Sequence, residues 1–160
     1  MNRKIFSQMF LCAAALLFVA VGVSHAAMGA AFMGTWQFNE AKSKVPAGGE
    51  KNSTVVYTMS GGSITCTVDG TDATGQPLHS VWTGKFDGKD YPVTGDPASD
   101  MRSYRMINSH TVAATESKGG KVIGRVRIVV SADGKTRTVT SHTTDAKGMS
   151  VASVAVYDKQ

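Results

Sequence analysis

The run Ser53-Thr54-Val55-Val56-Tyr57-Thr58-Met59-Ser60-Gly61-Gly62-Ser63-Ile64-Thr65-Cys66-Thr67-Val68-Asp69 decides the fold. Two segments rich in β-branched and aromatic residues flank a glycine pair, the composition of a β-hairpin whose tight turn needs positive φ. Alternation places Ile64, Cys66 and Val68 on one face of the second strand, so Cys66 is expected as a small buried apolar residue rather than a nucleophile. The preceding strand is mixed, with Val55, Tyr57 and Met59 opposite Thr54, Val56 and Thr58.

The same pattern continues in both directions. Strands are expected at Thr35 to Asn39, Ser53 to Ser60, Ser63 to Asp69, Pro77 to Phe86, Asp90 to Val93, Asp100 to Ile107, Thr111 to Ser117, Val122 to Ser131, Lys135 to Thr143 and Ser150 to Tyr157. Asp87-Gly88, Gly119-Gly120 and Asp133-Gly134 supply further tight turns. Two longer turns share a local word, Thr71-Asp72-Ala73-Thr74-Gly75 and Thr144-Asp145-Ala146-Lys147-Gly148. No stretch reads as an amphipathic helix. A meander of this length leaves two open edges unless it closes, so the expected fold is an all-β, single antiparallel up-and-down barrel of eight to ten strands.

The amino end reads differently. Arg3 and Lys4 precede an apolar run from Ile5 to Val23 that exits through Ser24-His25-Ala26, the order of a secretory signal peptide. Residues 1–26 are therefore expected to be cleaved, leaving one domain over 27–160 in the periplasm or outside the cell, with no stable membrane insertion. Cys12 lies inside the apolar run rather than at the cleavage point, so lipid attachment is not expected, and Cys66 alone cannot form an internal disulfide. Removing Arg3 and Lys4 from the 17 basic residues leaves 15 against 12 acidic ones, a scattered +3 that gives no case for nucleic acid.

In the fourth strand Leu78, Ser80, Trp82, Gly84 and Phe86 are expected to face in, opposite His79, Val81, Thr83 and Lys85. Arg102, Tyr104 and Met106 share a face of the sixth strand. Arg125 and Arg127 share the face opposite Val126, Ile128 and Val130, which points both arginines to solvent; a lumen-facing arrangement is the alternative that would meet an anionic ligand.

Gly34-Thr35-Trp36 at the start of the first strand resembles the Gly-x-Trp signature of the calycins, the lipocalins and fatty-acid-binding proteins, and Val154 to Gln160 is similar to the last strand of fatty-acid-binding proteins. The chain also resembles small bacterial exported lipocalin-like proteins. The resemblance implies that Trp36 plugs one end of a barrel and that a small lipid-like molecule is held inside. It also implies an Arg-x-Tyr clamp for a carboxylate on the last strand; Tyr157 matches its tyrosine, and Ala155 stands where its arginine would be. The helical lid of those proteins has no counterpart, because Glu40 to Asn52 contains Pro46, Gly48 and Gly49 and reads as a loop.

No Gly-x-Ser-x-Gly elbow, phosphate loop or close carboxylate pair suggests catalysis. His79, His110 and His142 lie far apart and each lacks a second ligand at i+2 or i+4, so neither a metal nor another cofactor is expected. The functional reading is an exported binding protein for a small hydrophobic or amphiphilic ligand, with Trp82, Tyr104, Tyr57, Met106, Arg102 and Tyr157 as its candidate contacts. The alternative is an envelope interaction module whose barrel is filled by its own side chains.

Overall fold

The structure is a computed structural model in which residues 29–144 and 148–160 are described. The expected signal peptide at 1–26, Cys12 within it, and positions 145–147 of the second turn word lie outside the described residues. After a 3-10 turn at Ala30–Phe32 come ten strands: β1 Gly34–Phe38, β2 Lys51–Ser60, β3 Ser63–Thr71, β4 Pro77–Gly84, β5 Asp87–Thr94, β6 Met101–Asn108, β7 Thr111–Lys118, β8 Lys121–Val130, β9 Thr136–Thr144 and β10 Ser150–Lys159. All neighbours are antiparallel and sequential, and β1 pairs with both β2 and β10. The sheet is therefore a closed up-and-down barrel. No helix of the described residues reaches seven residues.

Each expected strand is present. The hairpin that decides the fold turns at Gly61 and Gly62, with φ of 56° and 79°. Two successive positive φ values define the turn whose twist matches the flanking strands, and glycine adopts them without a Cβ clash. Across that hairpin Tyr57 pairs with Cys66 and Val55 with Val68, so the inward faces of β2 and β3 meet in register.

Inward and outward faces follow the pleat. Leu78, Ser80, Trp82 and Gly84 are buried while His79 and Thr83 are exposed. Ile64, Cys66 and Val68 are buried on β3, and Arg102 and Tyr104 on β6. Arg125 and Arg127 are exposed, with Val126 half-buried between them and Gly124, Ile128 and Val130 buried to either side. The arginine pair of β8 therefore belongs to the outer surface, because Ile128 and Val130 take the inward positions.

The β4–β5 connection departs from the expectation of a tight Asp87-Gly88 turn. Strand β4 stops at Gly84, the chain bends at Lys85 and Phe86, and Gly88 sits inside β5 with φ of 81° beside a register shift between Asp87 and Asp90. Strands β4 and β5 pair only through Val81 with Thr94 and Trp82 with Val93. Aromatic packing is the cause. A Cβ on Gly84 would lie 2.6 Å from atoms of both the Trp82 and Tyr91 rings, so those rings close over the bare backbone. The Phe86 ring turns inward to stack on Trp82, 6.4 Å between centroids, and meets Phe32 edge-on at 5.7 Å. Asp87 accepts from the Lys89 N–H and from the Tyr91 hydroxyl, which holds the bulged start of β5.

The loop expected over Glu40 to Asn52 is shorter at both ends. A 3-10 turn at Glu40–Lys42 is capped by the Asn39 carboxamide oxygen, Lys44 bridges to Val154, and β2 begins at Lys51.

One end of the barrel is solid. Trp36, fully buried, donates its indole N–H to the Phe32 carbonyl at 2.8 Å, and Phe32, Phe86, Met59 and Met106 pack around the same floor. Replacing Gly84 by alanine forces the Trp82 and Tyr91 rings apart and should cost about 2 kcal/mol. Urea denaturation of Gly84→Ala against the native chain measures this, and an unchanged midpoint would mean that the rings do not depend on the missing Cβ.

Candidate functional site

Above that floor the lumen opens into a cavity of about 570 Å³, inside the range of about 300–1,000 Å³ usual for small-molecule pockets. Ten strands make this possible, since barrel diameter grows with strand number. Its apolar wall includes Val55, Val68, Ala114, Val126, Ile128 and Val139. On the β9–β10 side the wall is hydroxylic, with Ser141 and Ser153 bonded to each other at 2.7 Å and Thr143 beside them. Residues 45–50 of the β1–β2 loop, Ala73 and Ala98 line its mouth, at the end of the barrel opposite the floor.

Of the residues singled out from sequence, Tyr57, Arg102, Tyr104 and Tyr157 line this cavity. Trp82 and Met106 do not. Trp82 is buried against Tyr104 at 4.5 Å between centroids, and its indole N–H donates to the Arg102 carbonyl at 3.0 Å. Met106 is half-buried against the core cluster. Both belong to the packed part of the barrel, where the Phe86 ring lies against Trp82 and Tyr104 and Met106 packs on the core cluster.

The lumen holds two arginines in contrasting surroundings. Arg102, 7% exposed, donates through Nη2 to Asp96 at 2.5 Å and faces Glu116 with Nε at 3.5 Å. Burial works against its charge, but the carboxylates of Glu116 and Asp96 outweigh it and keep the guanidinium charged. Asp96 is pushed up by burial, yet the Ser99 hydroxyl, the Arg102 charge and the N–H groups of Ala98 and Ser99 bring it below the usual carboxylate range.

Arg137 is the second. It is 2% exposed, lines the cavity, and has neither Nε nor Nη1 hydrogen-bonded to any protein group. Its guanidinium lies 4.3 Å from the Tyr157 ring centre, 5.5 Å from Tyr57 and 5.7 Å from Trp36. Such contacts stabilise a desolvated cation by about 2 kcal/mol, but they leave the Nε and Nη1 donors unmatched. Tyr157 and Arg137 are direct partners across β10 and β9. An arginine does stand beside Tyr157, then, supplied by the neighbouring strand rather than by position 155.

Arg137 escaped the sequence reading although a signal was present. In Arg137-Thr138-Val139-Thr140-Ser141 the only apolar residue, Val139, shares parity with Arg137. A lone valine among threonines is a faint marker of an inward face, and cross-strand partners are not visible in a single chain. Glu50, at the cavity mouth, was also missed, because a glutamate in a Gly-rich loop reads as solvated.

Glu50 is held up to about 7 by burial first, then by repulsion from Asp96 and Glu116, with Arg102 and a hydrogen bond to Asn52 working the other way. Tyr57 and Tyr104 are raised well above their ordinary range, chiefly by burial, so both remain neutral phenols. Burial likewise raises the Cys66 thiol, which keeps it protonated and unreactive. Among the described residues no three of His, Cys, Asp and Glu come together in a way that would hold a metal ion.

No protein-family model and no curated protein matches the chain. Two solved structures are similar to the chain at low identity. One is EF1p2_mFAP2b bound to DFHBI, with a TM-score of 0.48, 13% identity, and coverage of 86% of this chain and 100% of that one. The other is a redesigned beta barrel, mFAP1, bound to DFHBI, with a TM-score of 0.42, 14% identity, and coverage of 84% and 98%. The class defined by fold and site is a closed antiparallel β-barrel with a plugged floor and an internal, partly charged cavity.

Because the folded state favours protonated Glu50 while the unfolded chain does not, its contribution to stability is complete below about pH 4.5 and lost as pH rises through 7. The melting temperature should therefore fall between pH 5 and 8 by an amount that Glu50→Gln removes, corresponding to about 2 kcal/mol. Parallel melting profiles of the two proteins across this range would show that Glu50 is solvated.

Proposed function

We propose that this protein is an exported carrier of a small amphiphilic molecule, held inside the barrel with its apolar body against Val55, Val68, Val126 and Ile128 and an anionic head on Arg137. The observation that carries the reading is a buried guanidinium with two unmatched donors facing a cavity of about 570 Å³. Placing a carboxylate, sulfate or phosphate there supplies charge-assisted hydrogen bonds in a low-dielectric setting, where they are strongest. Tyr57 and Tyr157 flank the head, Tyr104 bounds the middle of the ligand, and Arg102 stands at the mouth with its charge already matched by Asp96. Trp82 and Met106 shape the packed floor and act on the ligand through Tyr104 and the core. Export to the periplasm or outside the cell is supported by Arg3, Lys4 and the Ile5–Val23 apolar run, which have the order of a secretory signal peptide.

A barrel filled by its own side chains, as an interaction module would have, is met here only at the Phe32, Trp36 and Phe86 end.

Two measurements test the carrier. Native mass spectrometry of the protein from its own host should detect a co-purifying small molecule that organic extraction removes. In parallel, decyl sulfate and decanol, both below their aggregation limits, are titrated while tryptophan fluorescence is followed; Trp36 lies beneath Arg137 and should respond. Replacing Arg137 by methionine keeps apolar reach and removes the charge. Binding of decyl sulfate should weaken at least tenfold, about 1.4 kcal/mol, while decanol binding stays within a factor of two to three. Equal loss for both ligands would overturn the anionic head, and failure of either to bind the native protein, with a clean apo mass, would overturn the carrier.

A further inference from the structure

Glu50 and Arg137 are opposite charges left over at the two ends of one lumen. Arg137 sits at the second position of β9, just after the β8–β9 turn at the floor end, whereas Glu50 lies on the β1–β2 loop at the mouth. The groups that act on Glu50 come from several elements: Asp96 from the β5–β6 loop, Arg102 from β6, Glu116 from β7 and the Asn52 amide from β2, and Glu50 acts in turn on Tyr157 of β10. Arg102 is already shared by Asp96 and Glu116, so Glu50 adds a third carboxylate to a cluster with one cation. An anion entering the cavity passes this cluster. Once seated on Arg137, it cancels the lumen's only unshared positive charge among the described residues.

Resting on the carrier reading above, we propose that Glu50 couples filling of the lumen to a proton: an anionic ligand is taken up together with a proton that Glu50 holds, and is released as that proton leaves. The two events favour one another by linkage, since each reduces the negative charge that opposes the other. Burial of Glu50 beside Asp96 and Glu116 brings its titration into the neutral range, where modest acidification tips the balance. The device makes capture stronger at pH 6 than at pH 8 without any change of fold.

Decyl sulfate is a suitable probe because its head stays ionised across this range, so only protein protons are read. Calorimetric titrations at pH 6, 7 and 8, in buffers of different ionisation enthalpy, give affinity and proton stoichiometry together. The native protein should take up about half a proton per ligand near pH 7.5 and bind about fivefold more weakly at pH 8 than at pH 6. Glu50→Gln should show no uptake and bind at pH 8 as the native protein does at pH 6. His79 and His142 lie on outward positions and His110 in the β6–β7 turn, and all three are retained in that variant, so a histidine source would leave the uptake intact. Uptake that persists in Glu50→Gln, or affinity equal at pH 6 and pH 8, would overturn the coupling while leaving the carrier standing. Absence of binding at every pH would overturn both.

Discussion

Closure through β1 is the constraint on which the rest of this structure depends. That strand is five residues long, yet it pairs with β2 through Gly34, Thr35, Trp36 and Gln37 and with β10 through Trp36, Gln37 and Phe38. Without it the sheet would present two long edges with unmatched N–H and C=O groups, and the interior would open to water. With it, Trp36 is carried to the centre of the floor and shielded completely, between Lys159 on one side and Arg137 on the other. A single tryptophan thus seals the barrel and supports the charged group that gives the cavity its polarity.

The lumen combines two ways of holding a buried arginine. Arg102 is neutralised by nearby carboxylates, an arrangement that satisfies its charge and leaves little for a ligand. Arg137 is surrounded by aromatic faces, which tolerate a cation but do not accept its hydrogen bonds. Burying a charge without paired acceptors is expensive, and proteins that retain one usually use it. The mouth carries the reverse imbalance, three carboxylates around one guanidinium. The cavity is therefore electropositive at depth and electronegative at its entrance.

Much of this was legible from residue order alone. Strand positions and most turn positions follow from β-branched runs broken by glycine and aspartate, because glycine is needed wherever φ turns positive. Inward faces on β3 and β4 follow from parity, since Ile64, Cys66 and Val68, then Leu78 and Trp82, each leave one assignment; on β8 parity favoured Val126, Ile128 and Val130 inward but left a lumen-facing arginine pair as the alternative. The Asp87-Gly88 turn did not, because Phe86 gains more by entering the aromatic floor than the chain gains by turning at the glycine. Tyr57, Arg102 and Tyr104 were identified on residue type, with the faces of β2 and β6 left open by parity, and Tyr157 by its match to the tyrosine of the fatty-acid-binding clamp. Trp82 and Met106 share their faces but not their surroundings.

The amino-acid sequence by itself determined an all-β meander, the approximate positions of its strands, and which side of β3 and β4 turns inward. These depend on local conformational preference and on the two-residue period of the pleat, both of which are properties of neighbours along the chain. Only the tertiary structure decided where the interior is solid and where it is hollow, and which charges meet there. Arg137 stands beside Tyr157, and Glu50 beside Asp96 and Glu116, through pairings between segments 20 to 66 residues apart in the chain. Such pairings are set by the register of a closed barrel, in which every strand constrains every other, and no local pattern encodes them.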